Sequence, residues 1–271
     1  MSGLARRFSL RMATLIGIAV VVAGAGCRPN QIPDPNNPKN VPSEQVAKLL
    51  RQQIQSSADD LNQRVGTGEI SDQKRKDLLA KLAGKLLSEG DPAHCAPEDA
   101  WIYADLMLTE HHYSEAIPML KKAIQYATSV NNDDRRVNDS LRLARALAET
   151  GKIGPALDLT QSVIDSKPKD PNPVLTSVLL EITPVAQGKG HDEQLAKLLE
   201  EAIHEHLRVK VDPTSYPGKM FLAARTFHIK HAWDTIVSLL KGSGHPDQAA
   251  AAAAREASMM RELTATDRQS V

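Results

Sequence analysis

From Pro42 onward, apolar residues recur at spacings of three and four, the signature of helices that bury one face. Val46, Leu49, Leu50, Ile54, Leu61 and Val65 make one such stripe, with Ser43 as its N-cap and Gly66 and Gly68 ending it. Ser71 opens a second helix, Leu78, Leu79, Leu82, Leu86 and Leu87 form its apolar stripe, and Gly90 closes it. Alternation of β-branched residues with a period of two is almost absent, so the pattern predicts no strand. The expected fold class is all-α.

From about residue 97 the pattern repeats. AWIYADLMLTEHHYSEAIPMLKKAIQYA is followed by SLRLARALAETGKIGPALDLTQSVIDSKP. Aligning Ala116 with Ala156 also brings Ala104 onto Ala144, Ala123 onto Val163, and Tyr113 onto Ile153, with Leu120 near Leu159. Small residues on both sides of a hairpin let two helix backbones approach, while large residues fill the flanks. The repeat weakens further on. TSVLLEITPVAQGKGHDEQLAKLLEEAIHEH keeps a hairpin with Gly190 in its turn but puts Leu195 at the small position. GKMFLAARTFHIKHAWDTIVSLLKGSG keeps Ala223, has Thr235 at the second small position, and is predicted to turn between His228 and His231. Beyond Pro246, Ala249 to Ala254 and Arg255 to Leu263 read as a closing helix, since alanine is the best helix former.

These spacings resemble the tetratricopeptide repeat, with Gly151, Ala156 and Pro168 at its turn, small-residue and terminal-proline positions. The period of about 40 residues exceeds the family's 34, Trp101 is displaced by one from the family's tryptophan, and a rival solenoid of longer repeats fits the period as well. The resemblance implies a groove lined by the first helix of each hairpin. Carried over residue by residue, its groove positions are Trp101, Asp105 and Leu108, then Leu141, Arg145 and Glu149, then Phe221, Ala224 and His228. Trp, Arg and Phe are the side chains that most often anchor peptides and proteins. Packing between repeats accounts for Trp101 and Phe221 as well.

The first 26 residues read as an export signal. Arg6, Arg7 and Arg11 make a basic start, and the uncharged stretch from Met12 to Ala25 ends in small residues before Cys27. About 14 residues is short for a spanning helix, which needs about 20, and suits a signal-peptide core. Ala25-Gly26-Cys27 resembles the bacterial lipobox, which implies acylation of Cys27 by palmitate-class chains, although Gly24 departs from the bulky aliphatic residue usual there. Ala23-Gly24-Ala25 is alternatively a cleavage site that releases a secreted protein. Arg6-Arg7 hints at twin-arginine export, but Ser9 stands where an apolar residue is expected. RPNQIPDPNNPKNVP, residues 28–42, has almost nothing to bury, and at about 3.1 Å per residue could extend about 45 Å as a tether.

The expected organisation is therefore a signal peptide over 1–26, a lipidated cysteine and tether over 27–42, N-terminal helices over 43–96, repeats over 97–245, a capping helix over 246–263 and a disordered tail over 264–271. Such a protein is exported to a bacterial envelope and held to a membrane by lipid, its domain in the periplasm or at the surface.

Charge narrows the function classes. Among 271 residues, 33 basic side chains balance 33 acidic ones, without the cationic excess that nucleic-acid binding needs. Aromatic residues are 3% of the chain, too few for a stacking platform. Removing residues 1–26 leaves 30 basic against 33 acidic side chains, a net charge of −3.

Candidate chemistry is thin. Ser71-x-x-Lys74 matches the penicillin-recognising nucleophile motif without its S-D-N and K-T-G companions, and an N-cap explains Ser71. His111-His112, His204-x-His206 and His228-x-x-His231 lack H-E-x-x-H spacing, and His204 and His206 fall on different helix faces. Cys95 is either buried against Trp101 as a small hydrophobe or a free thiol. No P-loop occurs. The expectation is a non-enzymatic scaffold with no cofactor, metal or small-molecule substrate and a protein or peptide partner. The alternative is a secreted, self-associating helical module in export or trafficking.

Overall fold

In the computed structural model, Asp34 and residues 36–168 and 171–269 are described, without the side chains of 217 and 264–269. Cys27, the export signal and most of the tether lie outside the described residues. α1 (Ser43–Gly66) and α2 (Asp72–Glu89) precede α3 (Ala100–Thr109), α4 (Tyr113–Ser129), α5 (Asp133–Glu149) and α6 (Ile153–Asp165). Then follow α7 (Val174–Ala186), α8 (Asp192–Arg208), α9 (Tyr216–Gly242) and α10 (Pro246–Gln269). No strand occurs among the described residues. Ser71 caps α2 as expected, its hydroxyl accepting from Lys74 N at 3.2 Å, whereas Ser43 lies inside α1 behind Pro42.

One turn closes most of the hairpins. A residue at positive φ follows the helix end: Gly68 (75°), His111 (65°), Asn131 (54°), Gly151 (80°) and Gly244 (85°). The next residue's N–H then reaches back to a carbonyl of the last helical turn. The pairs are Glu69 to Arg64 (2.9 Å), His112 to Met107 (2.8 Å), Asn132 to Ala127 (2.8 Å), Lys152 to Leu147 (2.9 Å) and His245 to Leu240 (2.9 Å). This Schellman arrangement satisfies carbonyls a helix end would leave bare, and it reverses the chain within a few residues.

After α6 the device fails for a covalent reason. Lys167 takes positive φ (45°) and donates to Ile164 O at 3.0 Å. The residue that should make the longer bond is Pro168, which has no N–H. The repeat loses its regularity at this point in sequence and in structure. The α7–α8 hairpin is instead pinned by the buried Asp192 carboxylate, which accepts from Gly188 N at 2.8 and 3.1 Å.

Ala104, Ala116, Ala144 and Ala156 are fully buried at the crossings, in the register the repeat alignment gives. The last hairpin differs from its expected register. α9 runs unbroken through His228 and His231, and the chain reverses at Ser243-Gly244. Ala223 is exposed, whereas Ala249 is fully buried at the place after Gly244 that Ala116 holds after His111. The alanine-rich helix is thus the second helix of that hairpin. Trp233, fully buried on α9, points its Nε1 at Met259 Sδ on α10 at 3.3 Å.

Parts of two segments expected to be unstructured are ordered among the described residues. Residues 38–40 form a 3₁₀ turn with Pro38 buried, Asn37 Oδ1 accepts from Lys39 N (3.0 Å), and Gln53 on α1 donates to Asn36 O (2.6 Å). Proline's fixed φ suits that turn, and α1 gives it a surface to cover. At the other end the helical backbone continues to Gln269.

The αL turn predicts a backbone effect free of packing. A Cβ on Gly151 would meet nothing within 4 Å, so Gly151→Ala changes φ energetics alone. It should lower stability by about 1 kcal/mol, a fall in melting temperature of about 2–4 °C by circular dichroism.

Candidate partner-binding face

The first helices of successive hairpins are α3, α5, α7 and α9, and their side chains meet along one face. Trp101 on α3 lies between cations of its neighbours: the guanidinium carbons of Arg51 (α1) and Arg135 (α5) are 4.5 and 4.4 Å from the indole centroid. Asp139, buried on α5, accepts from Arg135 Nε (3.3 Å) and Arg142 Nη1 (3.1 Å). Burial pushes the Asp139 carboxyl above its ordinary value, with Arg142 and Arg135 opposing that shift. Arg142 Nε reaches Asp105 at 3.3 Å, and Arg135 donates to Glu98 O at 3.1 Å. The indole therefore binds three helices of its own chain together.

The other carried-over positions divide. Leu108 and Leu141 are buried in the core, not on a groove, because they belong to the apolar stripes of α3 and α5. Arg145 Nε lies 3.1 Å from Glu181 Oε2 on α7, close enough for an ion pair although the N–H does not point along it. The same guanidinium stands 5.9 Å from the Tyr113 ring centroid. Glu149 is half-buried near Tyr113, whose phenol burial pushes up. Asp105, Arg145 and Glu149 thus form a partly exposed charged ladder in which Asp105 pairs with Arg142 and Arg145 with Glu181 across helices.

The exposed apolar surface lies on α9. Tyr216 (76% exposed), Met220 (55%) and Phe227 (69%) share one helical face with Ala223, opposite the buried Ile229, Ala232, Trp233 and Ile236. The Phe227 ring stacks on His231 at 6.4 Å and meets His228 edge-on at 5.9 Å. The spacing of Tyr216, Met220, Ala223 and Phe227 is helical and legible in the sequence. Phe221 is half-buried beside His206, with ring centroids 5.6 Å apart, and Ala224 is exposed on the same helix.

Other candidate chemistry resolves into local contacts. Cys95 is half-buried, and burial raises its thiol pKa; Lys122 Nζ stands 3.8 Å from the sulfur and donates to the Cys95 carbonyl at 2.6 Å. The adjacent His94 is bonded to Asp91 (Nδ1 to Oδ2, 2.9 Å) and not to the thiol. His112 pairs with Glu115 at 3.0 Å, and His111 Nδ1 meets Tyr113 OH at 2.8 Å. Among the described residues, no group of three or more His, Cys, Asp or Glu is placed to hold a metal. Nor is any described helix long and apolar enough to cross a membrane.

Fold and face together define an all-α array of helix hairpins. The chain is similar to BtubC (BKLC) from P. vanneervenii, with 11% identity, 80% of this chain and 92% of that one covered, and a TM-score of 0.45. It is also similar to a kinesin-light-chain-type protein of Podosopora anserina with nearly identical TPR-like repeats (12% identity, 80% and 97% covered, TM-score 0.44). A singly substituted form of that protein gives 11%, 81%, 98% and 0.45. At such identities and TM-scores nothing about this chain's function rests on the likeness. No family model and no curated protein matches the chain.

Two measurements check this geometry. Because Trp101 is clamped by its own chain, Trp101→Ala should cost roughly 2–4 kcal/mol in urea denaturation; a change below about 0.5 kcal/mol, the range of an exposed residue, would contradict the clamp. His206, 2% exposed on α8, should make stability pH-dependent. Burial, then His228 and Arg225 on α9, lower its pKa from 6.5 to about 4, while α7 faces it with the Thr176 hydroxyl. Between those values the unfolded chain binds the proton and the folded chain does not. Stability should therefore fall as pH drops from 6.5 to about 4, by about 3 kcal/mol in full. Comparing the pH slopes of wild type and His206→Asn isolates that share.

Proposed function

We propose that this chain is an exported, lipid-anchored protein of a bacterial envelope that holds a protein partner against its first-helix face. The observation that carries the binding side of this reading is the apolar stripe Tyr216, Met220 and Phe227, which no other part of the described chain covers. Large exposed apolar side chains rimmed by charge mark contact surfaces in soluble domains. The ladder's ion pairs, Asp105 with Arg142 and Arg145 with Glu181, lie between first helices of the same array. The stripe supplies desolvation and the ladder supplies orientation, since a partner must displace or complement existing ion pairs.

The anchoring side rests on sequence: the basic start, the short apolar core, the small residues before Cys27 and the proline-rich stretch that follows. A lipid at Cys27 would hold the array by one end, with residues 28–35 between the acyl chains and the first ordered turn. The same stripe also favours a second reading, in which a protein cleaved after Ala25 is secreted and self-associates through α9.

Two experiments separate these readings. Cys27→Ser should block acyl labelling and leave an unprocessed precursor; a serine variant that matures at the mass for cleavage after Ala25 would overturn the anchor. A photo-reactive side chain at position 227 should yield a discrete adduct with another protein in envelope membranes, where one at Gln73 does not. Phe227→Ala should weaken capture of that partner about 30-fold or more, some 2 kcal/mol, with the melting temperature unchanged. Adducts made solely with a second copy of the chain would favour self-association.

A further inference from the structure

Among the charged side chains of the array, Arg225 stands apart. It lies on the inner side of α9, 9% exposed, and its Nε is wholly buried with no hydrogen-bond partner. Among the described residues no carboxylate pairs with it. Arg142, Arg145 and Arg255, in contrast, each face an acidic side chain on a neighbouring helix. A guanidinium withdrawn from water without a counter-charge is destabilising. A fold that keeps one there has left a negative charge to be supplied.

The space for that charge is present. A cavity of about 170 Å³ opens between α7, α8 and α9, lined on its polar side by Arg225, His206, His228 and Ser177 and on its apolar side by Val174 and Phe221. Each polar lining group can donate a hydrogen bond, and no carboxylate lines the cavity. His206 and His228 have ring centroids 6.1 Å apart. Thr176 Oγ1 donates to Ala202 O at 3.2 Å, so it must accept from His206 Nδ1 at 3.3 Å. That assigns the proton of the neutral imidazole to Nδ1 and leaves Nε2 as the atom that gains a proton. We propose that this cavity is a binding site for a small oxyanion, a phosphate or carboxylate group, held by the Arg225 guanidinium with His206, His228 and Ser177 around it.

Planar guanidinium recognises both kinds of group through paired N–H donors. The cavity's size limits the ligand to one such group with a short apolar body, which Val174 and Phe221 would face. An anion beside His206 would also favour the protonated imidazole, countering the burial and the neighbouring cations that lower its pKa. Nε2–H would then become a donor to the ligand, so affinity should rise as pH falls. The groups facing His206 are the Arg225 guanidinium and the His228 ring from α9 and the hydroxyls of Thr176 and Ser177 from α7.

The full-length protein tests this with two probes, inorganic phosphate and propionate, each titrated against chloride at constant ionic strength. Calorimetry should detect one site for at least one probe, binding more tightly near pH ~5.5 than near pH ~6.5, on the acid side of which the buried imidazole begins to take up a proton with the anion. Which probe binds identifies the oxyanion. Arg225→Gln should weaken binding at least tenfold without lowering the melting temperature in chloride, because it removes an uncompensated buried charge. Lys219→Gln, exposed on the same helix, should leave binding unchanged. An independent readout needs no variant: in ¹H–¹⁵N spectra of wild type, the bound probe should raise the pKa of the His206 ring. Absence of binding by both probes, equal binding by wild type and Arg225→Gln, or a His206 titration unmoved at saturation would each overturn the site.

Discussion

Most of the hairpin crossings among the described residues depend on reversing a helix within a few residues while leaving no buried carbonyl bare. The αL residue at Gly68, His111, Asn131, Gly151 and Gly244 does this, and the back-bond that follows fixes the angle at which the next helix leaves. Only with that angle fixed do Ala104 and Ala116, or Ala144 and Ala156, come close enough for backbones to approach. The alanines alone would permit the crossing without specifying it. His111 and Asn131 occupy a conformation that costs a non-glycine residue about 1 kcal/mol, and the array tolerates it because packing on both sides over-determines the turn.

This explains which parts of the fold are legible in the sequence. Gly151 and Gly190 announce their turns, and the alanine register of the first two hairpins follows from them. His111 and Asn131 do not announce theirs, since their role lies in backbone geometry that many residues can be forced to adopt. The paired histidines at 228 and 231 suggest a turn on polarity alone. Yet polar residues on the outer face of a long helix produce the same local pattern. The deciding signal is further along, in Ser243-Gly244 and the alanine run, which place the chain reversal a full helix later. Likewise the prolines of residues 36–42 read as a tether until α1 supplies a surface for Pro38 to cover.

The binding face is legible in residue type but not in register. Trp101 has the composition of an anchor, but cations from α1 and α5 lie 4.5 and 4.4 Å from its ring, and no local pattern reveals partners that distant in sequence. Leu108 and Leu141 fail for the opposite reason: a family position says where a residue sits on a helix, whereas burial depends on how neighbouring helices roll against it. Tyr216 and Phe227, outside the carried-over positions, are aromatic rings that water actually meets.

The charges on this array fall into two physical classes. Arg135, Arg142 and Arg145 sit between helices that bring their own carboxylates, so their attraction holds first helices in line and leaves little net field. Arg225 has no carboxylate paired with it among the described residues, and none lines the cavity it faces. The first arrangement stiffens the face against which a partner would lie, because moving one helix would separate several pairs at once. The second creates a local electrostatic demand at the junction of α7, α8 and α9. The exposed stripe of Tyr216, Met220 and Phe227 lies on that same stretch of α9, so one helix carries uncovered apolar surface on its outer face and an unpaired buried guanidinium on its inner one.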